Sequence, residues 1–303
     1  MKAIRYVGMA AVALTMASCS SDENGLDTAN GRVAVEFSAN VGVTQTRAID
    51  QKWSTTDAIG IFMVKQTAAL MQDNISEKAE NIRYIVDGTI TNGFKADGTT
   101  IYYPMNGDLV DFYAYYPQGT VTNNATSGNY EYALNVANQS EQEKLDFMYS
   151  KNVKGRSKTS KEVALSFYHQ LCKVKLTVVV GNGVGDDDLK NLTVKVNSQN
   201  TTATFDLTAG TVEESSTAAD ITLNKQSDVY VYEAILLPST DTSRIFEFNL
   251  NNGHDAAFTW DMEKALVGGS KYTYTVKLNR TGVEVSGDIQ PWTPQDGGPV
   301  DAN

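Results

Sequence analysis

Cysteine, histidine and proline are scarce in this chain of 303 residues, which contains two Cys, two His and six Pro. Two cysteines allow at most one disulfide, so the stability of the fold has to come mainly from a large core. The two histidines, His169 and His254, lie far apart in sequence, and no Cys/His pattern for zinc is present. Runs of Lys and Arg are also missing, and a formal net charge of −11 would repel a phosphate backbone. Nucleic acid is therefore not an expected partner.

The N-terminus has the pattern of an export signal. Two basic residues precede an apolar run over residues 6–16, and the small pair Ala17–Ser18 directly precedes Cys19. This arrangement resembles the lipobox of bacterial lipoproteins, in which the Cys is acylated and becomes the new N-terminus. We therefore predict a signal peptide over residues 1–18, lipidation of Cys19, and a flexible polar tether over residues 19–31. An ordinary secretory signal with an incidental Cys is the alternative. No other segment approaches the ~20 apolar residues of a membrane-spanning helix.

The first regular pattern after the tether is a strict alternation over residues 33–43. Apolar residues occupy every second position: Val33, Val35, Phe37, Ala39, Val41 and Val43. A period of two predicts a strand with one face buried in a core. A polar run follows directly, with Arg47 as its single basic residue. A good core strand is thus followed by a segment that a protease with Arg specificity could cut.

The rest of the chain consists mostly of strand and turn patterns. Tyr, Thr and Val are abundant, and Asp-Gly and Asn-Gly dipeptides mark hairpin turns between residues 82 and 103. Short helical segments are expected only within residues 140–150 and 261–269. Many short strands at close spacing predict an all-β fold made of two β-sandwiches in tandem, with few short helices.

A glycine-rich and acidic stretch at residues 181–188 gives the expected domain boundary. It interrupts an apolar pattern over residues 163–180 that resembles one long, bent strand. We therefore predict an N-terminal β-sandwich domain over residues 32–180 and a C-terminal β-sandwich domain over residues 181–303.

Candidate reactive groups are few. His169 lies three residues before Cys172, but such positions on one strand face opposite sides, and Cys172 shares its face with apolar neighbours. We interpret Cys172 as a core residue rather than a nucleophile. The glycines at residues 181–185 do not open a helix, which argues against a nucleotide loop. The acidic residues 186–188 lack the interleaved spacing of a cation loop, so a solvated turn is the favoured interpretation.

An aromatic cluster is the last candidate site. It could form a sugar-stacking surface, but alternation with apolar neighbours favours a core role. Its members are Tyr102, Tyr103, Phe112, Tyr113, Tyr115 and Tyr116. No pair of carboxylates is singled out by its spacing. We therefore predict a protein that is not an enzyme and that has no catalytic residue, metal or cofactor.

Taken in order, several segments of the chain resemble the fimbrillin (Mfa-like) subunits of Bacteroidetes. After the lipobox at Cys19, the resemblance covers most of the chain. The segments that carry it are TRAIDQKWSTTDAIGIFMV (46–64), YYPMNGDLVDFYAYYP (102–117), LDFMYS (145–150), LSFYHQLCKVKLTV (165–178) and GGSKYTYTVKLNRTGVEVSGDIQPWTP (268–294). Each segment is a weak signal alone, but their order makes the match fairly specific.

The resemblance implies a pilus subunit with two transthyretin-like β-sandwich domains, exported as an outer-membrane lipoprotein. It further implies cleavage between Arg47 and Ala48 by a surface protease, which releases the strand of residues 33–43. A C-terminal strand of a neighbouring subunit then fills the vacated groove. In this chain the candidate donor residues are Val283, Val285 and Ile289, with an interruption at Gly287. The expected partners are other fimbrial subunits, in a homo- or hetero-polymer, and a host protein or glycan. The alternatives are an uncleaved surface lipoprotein that binds a glycan or protein, or an anchor or tip subunit.

Overall fold

The computed structural model describes residues 26–27, 31–42, 53–214, 217–226, 230–253 and 257–292. Within these residues the structure is almost entirely β, which confirms the predicted all-β class. The helices there are a 3-10 turn, Gln72–Asn74, and one short helix, α1 (Gln142–Leu145), which lies inside the expected segment 140–150. The helix expected within 261–269 is wrong. Met262 and Leu266 are instead the buried anchors of a loop, and the backbone of Leu266 pairs with that of Ser239.

The first half of the chain forms a closed β-barrel. The strands of this half, seven of which form the barrel, are β1 (Leu26–Asp27), β2 (Arg32–Val33), β3 (Glu36–Val41), β4 (Ala58–Lys65), β5 (Ile82–Val86), β6 (Gly93–Ala96), β7 (Val110–Tyr116), β8 (Val121–Asn123), β9 (Tyr130–Asn135), β10 (Met148–Ser150) and β11 (Glu162–His169). The barrel order is β10-β11-β3-β6-β5-β4-β7, and the short β10 closes it by pairing with β7. The sheet of the first predicted sandwich therefore closes on itself.

The two most apolar strands, β4 and β7, are buried on both faces. Ile61 and Phe112 point into the barrel core, whereas Phe62, Tyr113 and Tyr115 point outward into a second and larger core. This two-sided burial explains why both strands are continuous apolar and aromatic runs rather than alternating ones.

The second half contains two further sheets. Its strands are β12 (Cys172–Val180), β13 (Thr193–Asn200), β14 (Thr202–Asp206), β15 (Thr211–Glu214), β16 (Ala218–Thr222), β17 (Asn224–Lys225), β18 (Val231–Leu236), β19 (Ile245–Asn249), β20 (Phe258–Asp261), β21 (Ser270–Asn279) and β22 (Gly282–Pro291). One sheet has the order β17-β18-β12-β21-β22 and the other β16-β13-β19-β20. The larger core lies between them and extends to the outer face of the barrel.

The halves are also joined by backbone pairing. A four-stranded sheet, β15-β14-β9-β8, pairs β9 of the first half with β14 of the second. In addition, β12 pairs with β18 and β21, so the pattern over residues 163–180 is two strands that belong to different sheets. The change of sheet occurs at residues 170–171, about ten residues before the boundary that we predicted at Val180–Gly181. The division into two domains and the position of its boundary stay predictions.

Candidate functional site: the N-terminal strand and its slot

Strand β3 completes the barrel. It pairs parallel with β11 from Glu36 opposite Glu162 to Val41 opposite Phe167, and antiparallel with β6 at Phe37 and Ser38. We use the term slot for the gap between β11 and β6 that β3 fills. Because each neighbour pairs with β3 on the edge that faces it, removal of β3 would open the barrel and leave two strand edges unpaired.

The inward face of β3, continued before the strand by Val35 and Val33, is the apolar face predicted from the alternation. Val35, Phe37 and Ala39 are 5%, 4% and 0% exposed, and Val33 and Val41 are partly buried against the barrel core. The three side chains between Val35 and Val41 that face outward are less buried. Val43, the last residue of the predicted strand, lies outside the described residues. That the strand is displaced stays a prediction.

Successive inward positions of the slot hold side chains of different size. The ring of Phe37 packs edge-on against Tyr84, with 4.9 Å between centroids, and against Phe112, at 5.4 Å. Two residues further along, Ala39 is completely buried, and its backbone N–H donates to the carbonyl oxygen of Asn92 at 2.9 Å. A large aromatic site is therefore followed by a site that holds only a methyl group.

Trp53 closes one end of the slot and was not anticipated from the sequence as part of the site. Its indole Nε1 donates a hydrogen bond of 2.9 Å to the carbonyl oxygen of Ala39. Its ring packs edge-on against Phe94, Tyr116 and Phe167, with centroids 5.2–5.5 Å apart. Trp53 thus contacts both strands that border the slot, as well as β3 itself. Cys19, Arg47 and Ala48 lie outside the described residues, so lipidation and cleavage stay predictions.

The candidate donor segment is the edge strand of its own sheet. All ten residues of β22 pair antiparallel with β21. Val283 and Val285 are partly buried against the larger core, but Ile289, on the same face, is 43% exposed. Gly287 lies opposite Tyr274, whose ring fills the space where a Cβ atom would be, which explains the glycine in an otherwise alternating strand. The segment does not extend freely from the second half, so donation would require β22 to leave β21.

An aromatic contact holds the end of β22. The indole of Trp292, 7% exposed, stacks on the imidazole of His169, with centroids 4.0 Å apart and planes within 2°. The Nδ1 atom of His169 lies 2.6 Å from a carboxylate oxygen of Asp146. His169 ends β11, one of the two strands that border the slot, so the C-terminal strand and the slot meet at this residue. No local pattern could have indicated the contact, because its members are far apart in sequence.

The other predicted positions have structural roles. Cys172 is fully buried in β12, its thiol donates to the carbonyl oxygen of Val267, and burial raises its pKa to about 12. The core interpretation of Cys172 is therefore confirmed. In the acidic turn, Asp187 forms an ion pair with Lys190, and in the described part of the chain no three His, Cys, Asp or Glu side chains are grouped for a metal.

The aromatic cluster belongs to the cores, as predicted. Five of its six residues are buried, and Tyr102 is partly buried. The guanidinium of Arg32 lies 4.0 Å from the centre of the Tyr102 ring. The slot, rather than an aromatic surface, is therefore the feature to which a function can be attached. Among the residues that the structure describes, no helix is long and apolar enough to cross a membrane.

Fold and slot together define a class of all-β proteins in which the N-terminal strand completes a barrel packed against a second β-rich half. The family described as Fimbrillin-like matches residues 46–292, and the chain belongs to this family. It is 34% identical over 290 residues to a Bacteroides uniformis protein whose name assigns it as fimbrium subunit Fim1C, and the match covers 92% of each chain.

Solved structures agree with this assignment. The crystal structure of a cell adhesion protein from Bacteroides uniformis is similar, with a TM-score of 0.73 and 34% identity over 87% of this chain and 100% of that one. A cell adhesion protein from Bacteroides ovatus has the same fold, with a TM-score of 0.66 and 22% identity over 88% of this chain and 99% of that one.

Proposed function

We propose that this protein is a structural subunit of a cell-surface fimbria that polymerises by donor-strand exchange and supports adhesion. It is exported as a lipoprotein acylated at Cys19, held at the outer membrane, and matured by cleavage after Arg47. The observation that carries the proposal is the position of β3, which is buried between β11 and β6 and ends only a few residues before Arg47. Membership of the fimbrillin-like family and the names of the relatives from Bacteroides uniformis support it.

Simple energetics explain why the released strand has to be replaced. Each buried large aliphatic or aromatic side chain stabilises a fold by roughly 1.5–3 kcal/mol. The released segment buries Val35 and Phe37, and it adds the fully buried Ala39 and the partly buried Val33 and Val41. A barrel without β3 would expose an apolar trough and two unpaired edges, which is an aggregation hazard. A strand donated by another subunit restores both the burial and the ladder hydrogen bonds. Because donor and acceptor surfaces differ, the contact repeats into an open filament rather than a closed ring.

The donor of this chain is its C-terminal strand, with Val283, Val285 and Ile289 on the donated face. Two features support release of β22 from its own sheet. It lies at a sheet edge, and Ile289 and Gly287 on its inward face bury little apolar surface. Release breaks the pairing with β21 and the contact between Trp292 and His169, so the docked strand represents the subunit before assembly.

One observation favours a second candidate function. Both terminal strands are docked within one subunit, as expected for a surface lipoprotein that is never cut and binds a glycan or protein, or for a tip or anchor subunit. The two functions differ in whether the bond after Arg47 is cut and in whether the cut leads to multimers.

Limited proteolysis tests the proposal. Protein beginning at Ser20 is treated with an Arg-specific protease, and the product is analysed by N-terminal sequencing and by an unheated denaturing gel. A new N-terminus at Ala48 with a ladder of multimers is the expected result. The Arg47→Ala variant is the matched control and should remain monomeric. Resistance of Arg47, or cleavage that yields only monomer, would support the uncut binding module or a non-stalk subunit instead.

A further inference from the structure

The slot and the C-terminal strand of this chain do not match each other. We propose that the slot selects a donor strand from a different kind of subunit, one that carries an aliphatic, an aromatic and a small residue at three successive inward positions. The inference rests on the proposed function, because it names the partner that enters the vacated slot. It implies that this chain prefers a hetero-polymer, because a donor strand from another copy of itself binds this slot on the order of a hundredfold more weakly.

The first step is the shape of the slot as β3 fills it. The inward residues Val35, Phe37 and Ala39 are all at most 5% exposed, so the barrel encloses each of the three side chains. Rings on β5 and β7 lie edge-on to the Phe37 ring, an arrangement that an aliphatic side chain cannot reproduce. At Ala39 a longer side chain would have to push neighbours apart. The order aliphatic, aromatic, small is therefore imposed by the walls of the slot.

The backbone sets a second requirement. The N–H of Val35 donates to the carbonyl oxygen of Ile101 at 3.0 Å, and that of Ala39 donates to Asn92. A proline at either position has no N–H and would remove one of these two hydrogen bonds, and at the first position it would leave the carbonyl of the buried Ile101 without its donor.

The apolar face of β22 carries no aromatic residue. It presents Val283, Val285, Gly287, Ile289 and Pro291 in alternation. In either direction, a register that buries this face places Val, Gly, Ile or Pro at the site of Phe37.

Trp292 is the sole aromatic residue from position 281 to the C-terminus, and it cannot replace Phe37. If Trp292 occupies the site of Phe37, Gln290 and Pro294 occupy the two neighbouring inward sites, those of Val35 and Ala39. Both of these sites are enclosed. Strand β22 from another copy of this chain would thus leave a cavity, a buried polar group without a partner, or a backbone carbonyl without its N–H donor, whichever register it adopts.

Strand exchange with labelled peptides tests this selectivity. Protein that begins at Ser20 is first cleaved after Arg47. Fluorescent peptides are then added, and fluorescence polarisation measures their binding in the slot. We expect the peptide of residues 32–43 to enter and the peptide of residues 282–290 to bind on the order of a hundredfold more weakly. The Phe37→Ala form of the first peptide should be weakened to a similar degree.

A gain-of-function peptide gives the matched control. With Gly287→Phe and Ile289→Ala, the C-terminal peptide carries the valine, phenylalanine and alanine of β3 in the same spacing, and it should bind nearly as well as the peptide of residues 32–43. If the unaltered C-terminal peptide bound as tightly as the peptide of residues 32–43, or if the double substitution did not improve its binding, this inference would be wrong. The proposed function would not be affected. Failure of the 32–43 peptide to enter would overturn the proposed function, and the inference with it.

Discussion

Truncation of Phe37 to Ala separates the stability of the precursor from that of the filament. In the uncut protein the Phe37 ring is 4% exposed and packs edge-on between Tyr84 and Phe112. Loss of a buried Phe side chain costs about 3–5 kcal/mol, because the transfer free energy is lost and a cavity remains. We expect the upper part of this range, since a closed barrel has little freedom to collapse around the gap. The loss is a large share of the roughly 5–15 kcal/mol that stabilises a typical domain.

Urea denaturation followed by circular dichroism measures this cost. Phe62→Ala is the matched control, because Phe62 is equally buried but points from β4 into the larger core, which stays intact after cleavage. Both variants should lower the free energy of unfolding of the uncut protein by similar amounts. Filaments formed after cleavage no longer contain residue 37, so Phe37→Ala filaments should melt like wild type, whereas Phe62→Ala filaments should stay destabilised. A cost below about 1 kcal/mol in the uncut Phe37→Ala protein, or an equal cost in its filaments, would refute the reasoning.

Three further perturbations probe the C-terminal strand and the core. Trp292→Ala removes the stack on His169, so we expect faster hydrogen exchange of the β22 amides and unchanged exchange of those in β4. Unchanged exchange of the β22 amides would contradict the anchoring role of Trp292. Gly287→Val should loosen β22 in the same assay, because the Tyr274 ring leaves no room for a Cβ atom, and Ser286→Val on the opposite face is the control. Burial raises the pKa of the Cys172 thiol to about 12, so at pH 8 we expect no reaction with iodoacetamide until urea unfolds the protein; rapid labelling of folded protein would contradict the core assignment.

Sequence patterns predicted the parts of the fold that have one buried face. The alternation of β3 follows directly from the contrast between core and solvent. Closure of the barrel could not be predicted, because β10 has three residues and no period. The pattern over residues 163–180 hid two strands, since no glycine or proline marks the turn at residues 170–171. The apparent helix at 261–269 arose from two buried residues at helical spacing that serve as loop anchors.

The sequence predicted which face of the strand in the slot is buried, but it did not predict the side chains that contact this strand. The buried face of β3 was visible because every second residue from Val33 to Val41 is apolar and faces the barrel core. The roles of Trp53, His169 and Trp292 depend on side chains that meet only after the sheets have formed, so no local signal carries them. The same reason applies to the demands of the slot, which are set by Tyr84 and Phe112 on two other strands.

On the proposed function, the position of the cut relative to β3 decides whether the strand can leave. While residues 43–52 connect β3 to β4, the strand returns to its slot as an intramolecular event at a high effective concentration, and no external strand competes. A cut in the tether before β3 would leave this connection intact. A cut after Arg47 removes it, so non-covalent contacts alone retain the strand. They include the pairing with β11 and β6, the inward side chains, the hydrogen bond from Trp53 and the ion pair between Glu36 and Lys161. Trp53 stays with the barrel after the cut and is available to an incoming backbone carbonyl. Cleavage therefore converts a permanent strand into an exchangeable one without any change in the slot itself.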